Sequence, residues 1–342
     1  MNSILVTGGA GFIGSNFVRA FMRRHPNVEV HVLDALTYAG NPENFRPDTL
    51  ANPRFHFWYG NVCNPGLVGD LMGRVDTVVH FAAESHVARS IYDDAIFFQT
   101  DVLGTQTIAN QVLRHRKQIR RFIHISTSEV YGTALTRPMT EEHPLNPMSP
   151  YASAKCGADR LVYSYWRTYD LPITILRPFN QYGPYQHLEK CVPRFITSAI
   201  DGDPITVHGD GSAARDWCYV DDTCQALLAA LEKPLDSILG EVINIGTGVA
   251  TPVETIAENV VSLLGVPTTL VRYIEDRPGQ VELHISSTDK AQRLLGWRAT
   301  TDLDSGLTQT TEWYRRNEAW WRKLEWMKQV ELTLPNGQKV LH

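Results

Sequence analysis

Cysteine is sparse and unpatterned. Five residues (Cys63, Cys156, Cys191, Cys218 and Cys224) are scattered through 342, odd in number and without C-x-x-C spacing. That argues against a disulfide scaffold or a cysteine zinc site, and points to reduced thiols in a cytoplasmic protein with no bound metal. Long apolar runs are missing, so no membrane span is expected, and no basic leader precedes Ser3-Ile-Leu-Val-Thr7, so secretion is not expected either. Nor is there a basic excess. The formal net charge of −5 gives no general reason to expect a nucleic-acid partner, and an anionic small molecule would need a local basic site. Repeats and low-complexity segments are absent. What is present is an ordinary globular composition, 43% hydrophobic and 20% charged, in a chain long enough for two lobes or one extended α/β domain.

Apolar runs alternate with helical patterns through the first half. Strands are expected at 4–6, 28–33, 55–59, 77–81, 122–125 and 173–176, with helices near 12–24, 66–73, 94–115 and 150–169. Short β-rich runs separated by helices imply right-handed βαβ units and a parallel sheet covered on both faces. The fold class is therefore α/β, a Rossmann-type doubly wound parallel sheet with a smaller α/β C-terminal substrate lobe. Residues 1–180 would form the main-sheet domain, 181–323 mainly the smaller lobe, and 324–342 a tail. In the second part, short strands near 205–208 and 242–245 separate helices near 220–232 and 252–264. The Trp-rich stretch Glu312–Trp321 reads as an amphipathic helix packing its rings on the smaller lobe. In the tail, Gln329–Leu334 alternates in polarity and Pro335-Asn-Gly337 supplies a turn before Lys339–Leu341, the pattern of a small hairpin or of a loosely packed end.

Three motifs carry chemistry. Thr7-Gly-Gly-Ala-Gly-Phe-Ile-Gly14 follows the first strand and opens a helix. Gly8, Gly11 and Gly14 allow a tight turn and close backbone approach to a pyrophosphate at the helix N-terminus. Asp34 closes the second strand 20 residues after Gly14, where a carboxylate accepts from an adenosine ribose and repels a 2′-phosphate. No arginine stands beside it, which favours NAD over NADP. Phe12, Ile13, Asn61, Val62 and Ala82 are expected to line the same site. Tyr151-Ala-Ser-Ala-Lys155 puts a phenol and an ammonium on one helical face behind the helix start Pro147-Met-Ser-Pro150. The ammonium would lower the phenol's pKa, so that Tyr151 takes a hydroxyl proton as hydride leaves. Ser126-Thr-Ser-Glu-Val-Tyr-Gly132 ends a strand upstream and adds hydroxyls and the carboxylate Glu129.

With these motifs, the chain resembles extended short-chain dehydrogenases/reductases acting on nucleotide sugars, and is most similar to dTDP-glucose 4,6-dehydratases to about residue 323. The shared stretches are Leu33–Asn41, Phe81-Ala-Ala-Glu-Ser-His-Val87, Asn180-Gln-Tyr-Gly-Pro184, Glu189-Lys190 and Arg215-Asp-Trp-Cys-Tyr219. The resemblance implies that Thr127 and Tyr151 handle the C4 hydroxyl, that Lys155 binds the nicotinamide ribose and that Glu129 is the base at C5. It implies that Asn180, Lys190, Arg215 and Arg277 hold the nucleotide diphosphate, and that Ser85 lies near the sugar, with Glu189 a further substrate-side residue. It also implies a homodimer through the helices near 94–115 and 150–169. His86 and Tyr182 read as structural.

The departures matter as much. The dTDP-glucose 4,6-dehydratases carry Thr-Asp-Glu, with Asp as acid for the departing C6 hydroxyl. Here the run is Thr127-Ser128-Glu129, which resembles GDP-mannose 4,6-dehydratases and UDP-glucuronate decarboxylases. Serine is a poor general acid, so Ser128 does not exclude dehydration but removes its surest sign. Ala88 stands where an Asp is usual, Asp101 where an Asn is, and His208 where a base-contacting aromatic would be expected. The expected reaction is NAD-dependent 4,6-dehydration of a nucleotide-diphosphate hexose. C4 or C5 epimerisation, 5,6-elimination and decarboxylation stay open, the last needing a cation such as Arg177, Arg194 or Arg277 at a C5 carboxylate. A non-catalytic NAD-binding regulator would not need Tyr151, Lys155 and Glu129 together.

Overall fold

The computed structural model describes residues 1–276, 278–328, 331–333 and 339–341. Its strands in chain order are β1 (Ser3–Thr7), β2 (Glu29–Asp34), β3 (Phe55–Tyr59), β4 (Thr77–His80), β5 (Arg121–Ile125), β6 (Ile173–Pro178) and β7 (Asn180–Tyr182). They continue with β8 (Ile205–His208), β9 (Ala214–Tyr219), β10 (Val242–Ile245), β11 (Ala250–Pro252), β12 (Val271–Ile274), β13 (Glu331–Thr333) and β14 (Lys339–Leu341).

Seven of them make one parallel sheet in the order β10-β6-β5-β4-β1-β2-β3. Within β4 and β6 every residue is buried, as a sheet covered on both faces requires. Alternate residues serve opposite cores. Ile4 and Val6 face the helices Phe12–Arg24 and Val220–Glu232, while Leu5 faces Pro65–Met72 and Thr105–Arg114. The chain runs β1-β2-β3 to one side, then crosses back to lay β4 against the other edge of β1. Strand order reverses there, and ligands of open α/β sheets bind at the carboxyl ends of the strands at such a point. A second core lies beyond those ends. Helices Cys191–Asp201, Val253–Leu264 and Leu303–Arg316 pack with β8, Trp320 and Trp321.

Two expectations change. The 94–115 helix is broken: Ala95–Phe97 leads into a π-helical turn, Phe98–Gly104, before Thr105–Arg114 resumes. Gly104 lies so close to Val62 that a Cβ there would stand 2.6 Å from a Val62 methyl carbon, and Asp101 is turned fully inward. Periodicity alone misses such a one-residue insertion. The second change concerns 242–245, expected among the smaller-lobe elements; β10 instead pairs with β6 at the edge of the main sheet. Its Ile243 and Ile245 are buried in the main core with Leu227, Leu231 and Leu295. The terminal segment does form an antiparallel pair, Glu331 opposite Leu341 and Thr333 opposite Lys339; its proposed turn, 335–337, lies outside the described residues.

Candidate active site

One cleft of about 460 Å³ runs from the glycine turn after β1, past the ends of β4 and β5, into the smaller lobe. Gly8 adopts φ +67°, and a Cβ there would meet the Ala82 nitrogen at 2.6 Å, so only glycine fits. Gly14 packs on Gly8 and Gly9 just as closely, a Cβ falling 2.4 Å from the Gly8 oxygen. Helix Phe12–Arg24 starts at Gly11 with no side-chain cap, so its first-turn N–H groups face the cleft as an anion cradle. Asp34 closes β2, accepting from the Ala10 N–H (2.9 Å) and the Leu36 N–H (2.8 Å). Burial raises its pKa. Phe12, Ile13, Asn61, Val62 and Ala82 line this end. The cradle, the enforced glycine and the carboxylate fit a dinucleotide without a 2′-phosphate.

The catalytic candidates converge deeper in the same cleft. Helix Pro150–Tyr169 begins with Ser149, whose hydroxyl accepts from Ala152 N–H, and Pro150 at its first position. One turn apart, Tyr151 and Lys155 both face the cleft. Lys155 Nζ donates to the Ile125 carbonyl at 2.8 Å, tying the helix to the end of β5. The expected lowering of the Tyr151 pKa is not seen. Burial pushes the phenol up, Asp101 and Glu129 push the same way, and only a hydrogen bond with Thr127 opposes them. Asp101 is the local charge that sequence reasoning noted without a role. Its Oδ1 accepts from Glu84 N–H at 2.8 Å, its Oδ2 has no hydrogen-bond partner, and burial lifts its pKa to about 7 against the pull of Lys155. Thr127, Ser128 and Glu129 follow β5 in a short helical turn, with the Thr127 hydroxyl accepting from Glu129 N–H at 3.2 Å.

Asn180, Ser85, Glu189, Lys190 and Arg215 all line the substrate side. Lys190 donates to the Ser85 carbonyl at 2.7 Å and stands 3.7 Å from Glu189. Glu189 also meets Arg89 at 3.4 Å, so this carboxylate supports the cations around it. Arg215 donates to the Ala214 carbonyl and to Gln280 Oε1 at 3.3 Å. Arg277 lies outside the described residues. Arg177, named for a C5 carboxylate, is fully buried and held bidentately by Asp159 (2.9 Å each) and by Tyr131. It braces the helix of Tyr151 and faces no ligand. Arg194 does line the cleft, and burial lowers its pKa. Tyr182 is buried against Gly306 and structural, as expected, while His86 caps helix Val87–Tyr92 by accepting from Arg89 N–H. Sequence reasoning missed Glu84, Thr37, Gln280 and Lys328 as cleft residues. Glu84 and Thr37 lay inside quoted stretches, but Gln280 and Lys328 sit in runs with no pattern of their own. No cluster of metal-ligating side chains occurs among the described residues.

A parallel sheet with a glycine turn at its switch point, and a Tyr-x-x-x-Lys helix facing that turn, defines the class as a short-chain dehydrogenase/reductase of the extended type. The chain belongs to the GDP-mannose 4,6 dehydratase family, whose pattern it matches over residues 5–310. It is 42% identical to a dTDP-glucose 4,6-dehydratase of Streptomyces niveus over 327 residues, 94% of this chain and 95% of that one. Among solved structures it is similar to the dTDP-glucose 4,6-dehydratase DesIV of Streptomyces venezuelae with NAD bound, at 41% identity and a TM-score of 0.89, covering 94% of this chain and 99% of that one. A UDP-glucuronic acid 4-epimerase of Bacillus cereus, in complex with UDP-glucuronic acid and NAD, is more distant: 30% identity, TM-score 0.85, with 92% and 99% covered.

Proposed function

We propose that this protein is an NAD-dependent nucleotide-sugar 4,6-dehydratase. The observation that carries the reading is Glu129, a carboxylate in the same cleft as Tyr151, Lys155 and the dinucleotide cradle. An enzyme that only oxidises C4 has no work for a base there. Gly8, Gly11, Gly14, Asp34 and Lys155 would hold NAD, which supplies the hydride acceptor for C4 and later the hydride for C6. In the loaded enzyme the Lys155 ammonium and the cationic nicotinamide would favour the Tyr151 phenolate, which would then remove the C4 hydroxyl proton while Thr127 orients that oxygen. The C5 hydrogen, now α to a ketone, is acidic enough for Glu129 to take. Loss of the C6 hydroxyl follows. Asn180, Lys190, Arg194 and Arg215 would hold the diphosphate, with Arg277 a further candidate; a guanidinium fork suits such a bidentate contact.

The test is incubation with UDP-glucuronate and the glucose derivatives of dTDP, UDP and GDP in heavy water, read by product mass. Loss of water with one deuterium gained at C5 is expected. Unchanged composition with a new stereoisomer, or loss of carbon dioxide, would overturn the reading.

A homodimer belongs to the same proposal. Ile96, Phe98 and Leu103 stand exposed on the 95–104 segment beside helix Pro150–Tyr169, an apolar face that a second copy would cover. Light scattering should give twice the chain mass, and Leu103→Glu should shift it towards one. Five unpaired cysteines support a reducing compartment, the cytoplasm; no helix among the described residues is long and apolar enough to cross a membrane.

A further inference from the structure

Ser128 stands where the dehydration reading needs an acid, and its surroundings supply one indirectly. Behind it, outside the cleft lining, His284 is completely buried. His284 Nε2 lies 3.0 Å from the Gly132 carbonyl. A carbonyl only accepts, so Nε2 carries the hydrogen, and in the neutral ring Nδ1 is left as an acceptor. Ser128 Oγ is 3.3 Å from that Nδ1 and therefore donates to it. Glu129 Oε1 is 4.0 Å from the same nitrogen. The backbone that carries the ring is pinned as well. The His284 backbone N–H donates to the Ala214 carbonyl, and two residues on, Ser286 donates through both its N–H and its hydroxyl to the buried Asp216.

We propose that His284 is a positioning residue in a proton path, Glu129 to His284 Nδ1 to Ser128, which carries the C5 proton to the departing C6 hydroxyl. The balance closes. Glu129 takes the C5 proton and becomes a donor. Ser128 turns its hydrogen from Nδ1 to the C6 oxygen, which vacates the single lone pair of Nδ1. The Glu129 proton passes to Nδ1 and on to Ser128 Oγ as the Ser128 proton moves to the C6 oxygen. The C5–H and C6–O bonds break, the C5=C6 bond forms and one water leaves. Glu129 ends as a carboxylate, His284 as a neutral ring and Ser128 as an alcohol.

The electrostatics suit a carrier that does not retain its proton. Burial pushes His284 down to about 4, with Arg215 adding to that push against Glu129, the Gly132 carbonyl and Asp216. A protonated His284 is thus a strong acid, able to drive a hydroxyl group that alone is a weak one.

The proposal rests on the dehydration reading, and wild type in the same assay separates the two: no loss of water from wild type overturns both. With wild type active, His284→Gln keeps a donor for the Gly132 carbonyl and removes the base at Nδ1. Product formation should fall about 100-fold in this variant and in Ser128→Ala, the scale of one general-acid contribution. Substrate recovered from heavy water should still gain deuterium at C5, because the steps before elimination remain. Adding Ser128→Asp to His284→Gln should restore most of the lost rate, since an acid at 128 needs no supply. Rates within threefold of wild type in both single variants would overturn the path, leaving Glu129 to protonate the leaving oxygen itself. So would loss of the C5 deuterium along with the product, or failure of Ser128→Asp to rescue, either of which reduces His284 to scaffolding. If His284→Gln does not fold, a wild-type rate in Ser128→Ala still overturns the path.

Discussion

Glu129→Gln arrests turnover after the first oxidation. The variant keeps the size and polarity of the side chain, and Tyr151, Lys155 and the dinucleotide cradle are untouched. Binding and C4 chemistry therefore persist while C5 keeps its proton. Loss of a positioned general base costs about 10²–10⁴-fold, so overall turnover should fall by that much. The absorbance of reduced nicotinamide on the enzyme should rise on substrate addition and decay slowly. Tyr151→Phe gives the opposite signature, no product and no absorbance change. If Glu129→Gln turns over at the wild-type rate, the carboxylate is not the C5 base.

Mild acid destabilises the fold. His80, His187 and His284 are held neutral by burial, with pKa values pushed down to about 3, 3 and 4, and His124 is lowered for the same reason. The unfolded chain binds these protons near pH 6.5 and the folded chain does not, so stability falls as pH drops from 6.5 towards 4. Between pH 7.5 and 5.5 His80, His187 and His284 each cost about 1.4 kcal/mol, and His124 acts in the same direction. Asp101 works the other way. Its folded pKa is raised to about 7, so its contribution is present at low pH and fades as pH rises through 7, offsetting about 2 kcal/mol of the loss. A net fall is expected, measured as the urea midpoint at the two pH values, with His31, also lowered to about 4 by burial, adding to it. His124→Leu should flatten the slope, because neither ring nitrogen of His124 has a hydrogen-bond partner. An equal midpoint at both pH values would contradict the reading.

Much of this molecule is written in local pattern. The helix from 12 to 24 and the helix from 150 to 169 have the bounds that their apolar spacing and start signals imply, and Thr127, Glu129, Tyr151 and Lys155 meet in one cleft. Local pattern fails where the deciding contact is distant in sequence. His284 lies 156 residues from Ser128, in a run with no motif. Arg177 looked available because its carboxylate partner, Asp159, sits on another element. The Tyr151 phenol followed burial and the Asp101 charge, which spacing between Tyr151 and Lys155 does not report.

The return of the chain to the main sheet has a consequence for how the protein can be divided. After the smaller lobe is under way, helix Val220–Glu232 packs on helix Phe12–Arg24 and β10 seals the outer edge of β6. A fragment ending at residue 180 would bare Phe17 and Phe21 on one face and leave the β6 backbone open along its edge. The two halves are sewn through each other, so a fragment cut at residue 180 is expected to aggregate rather than behave as an independent module.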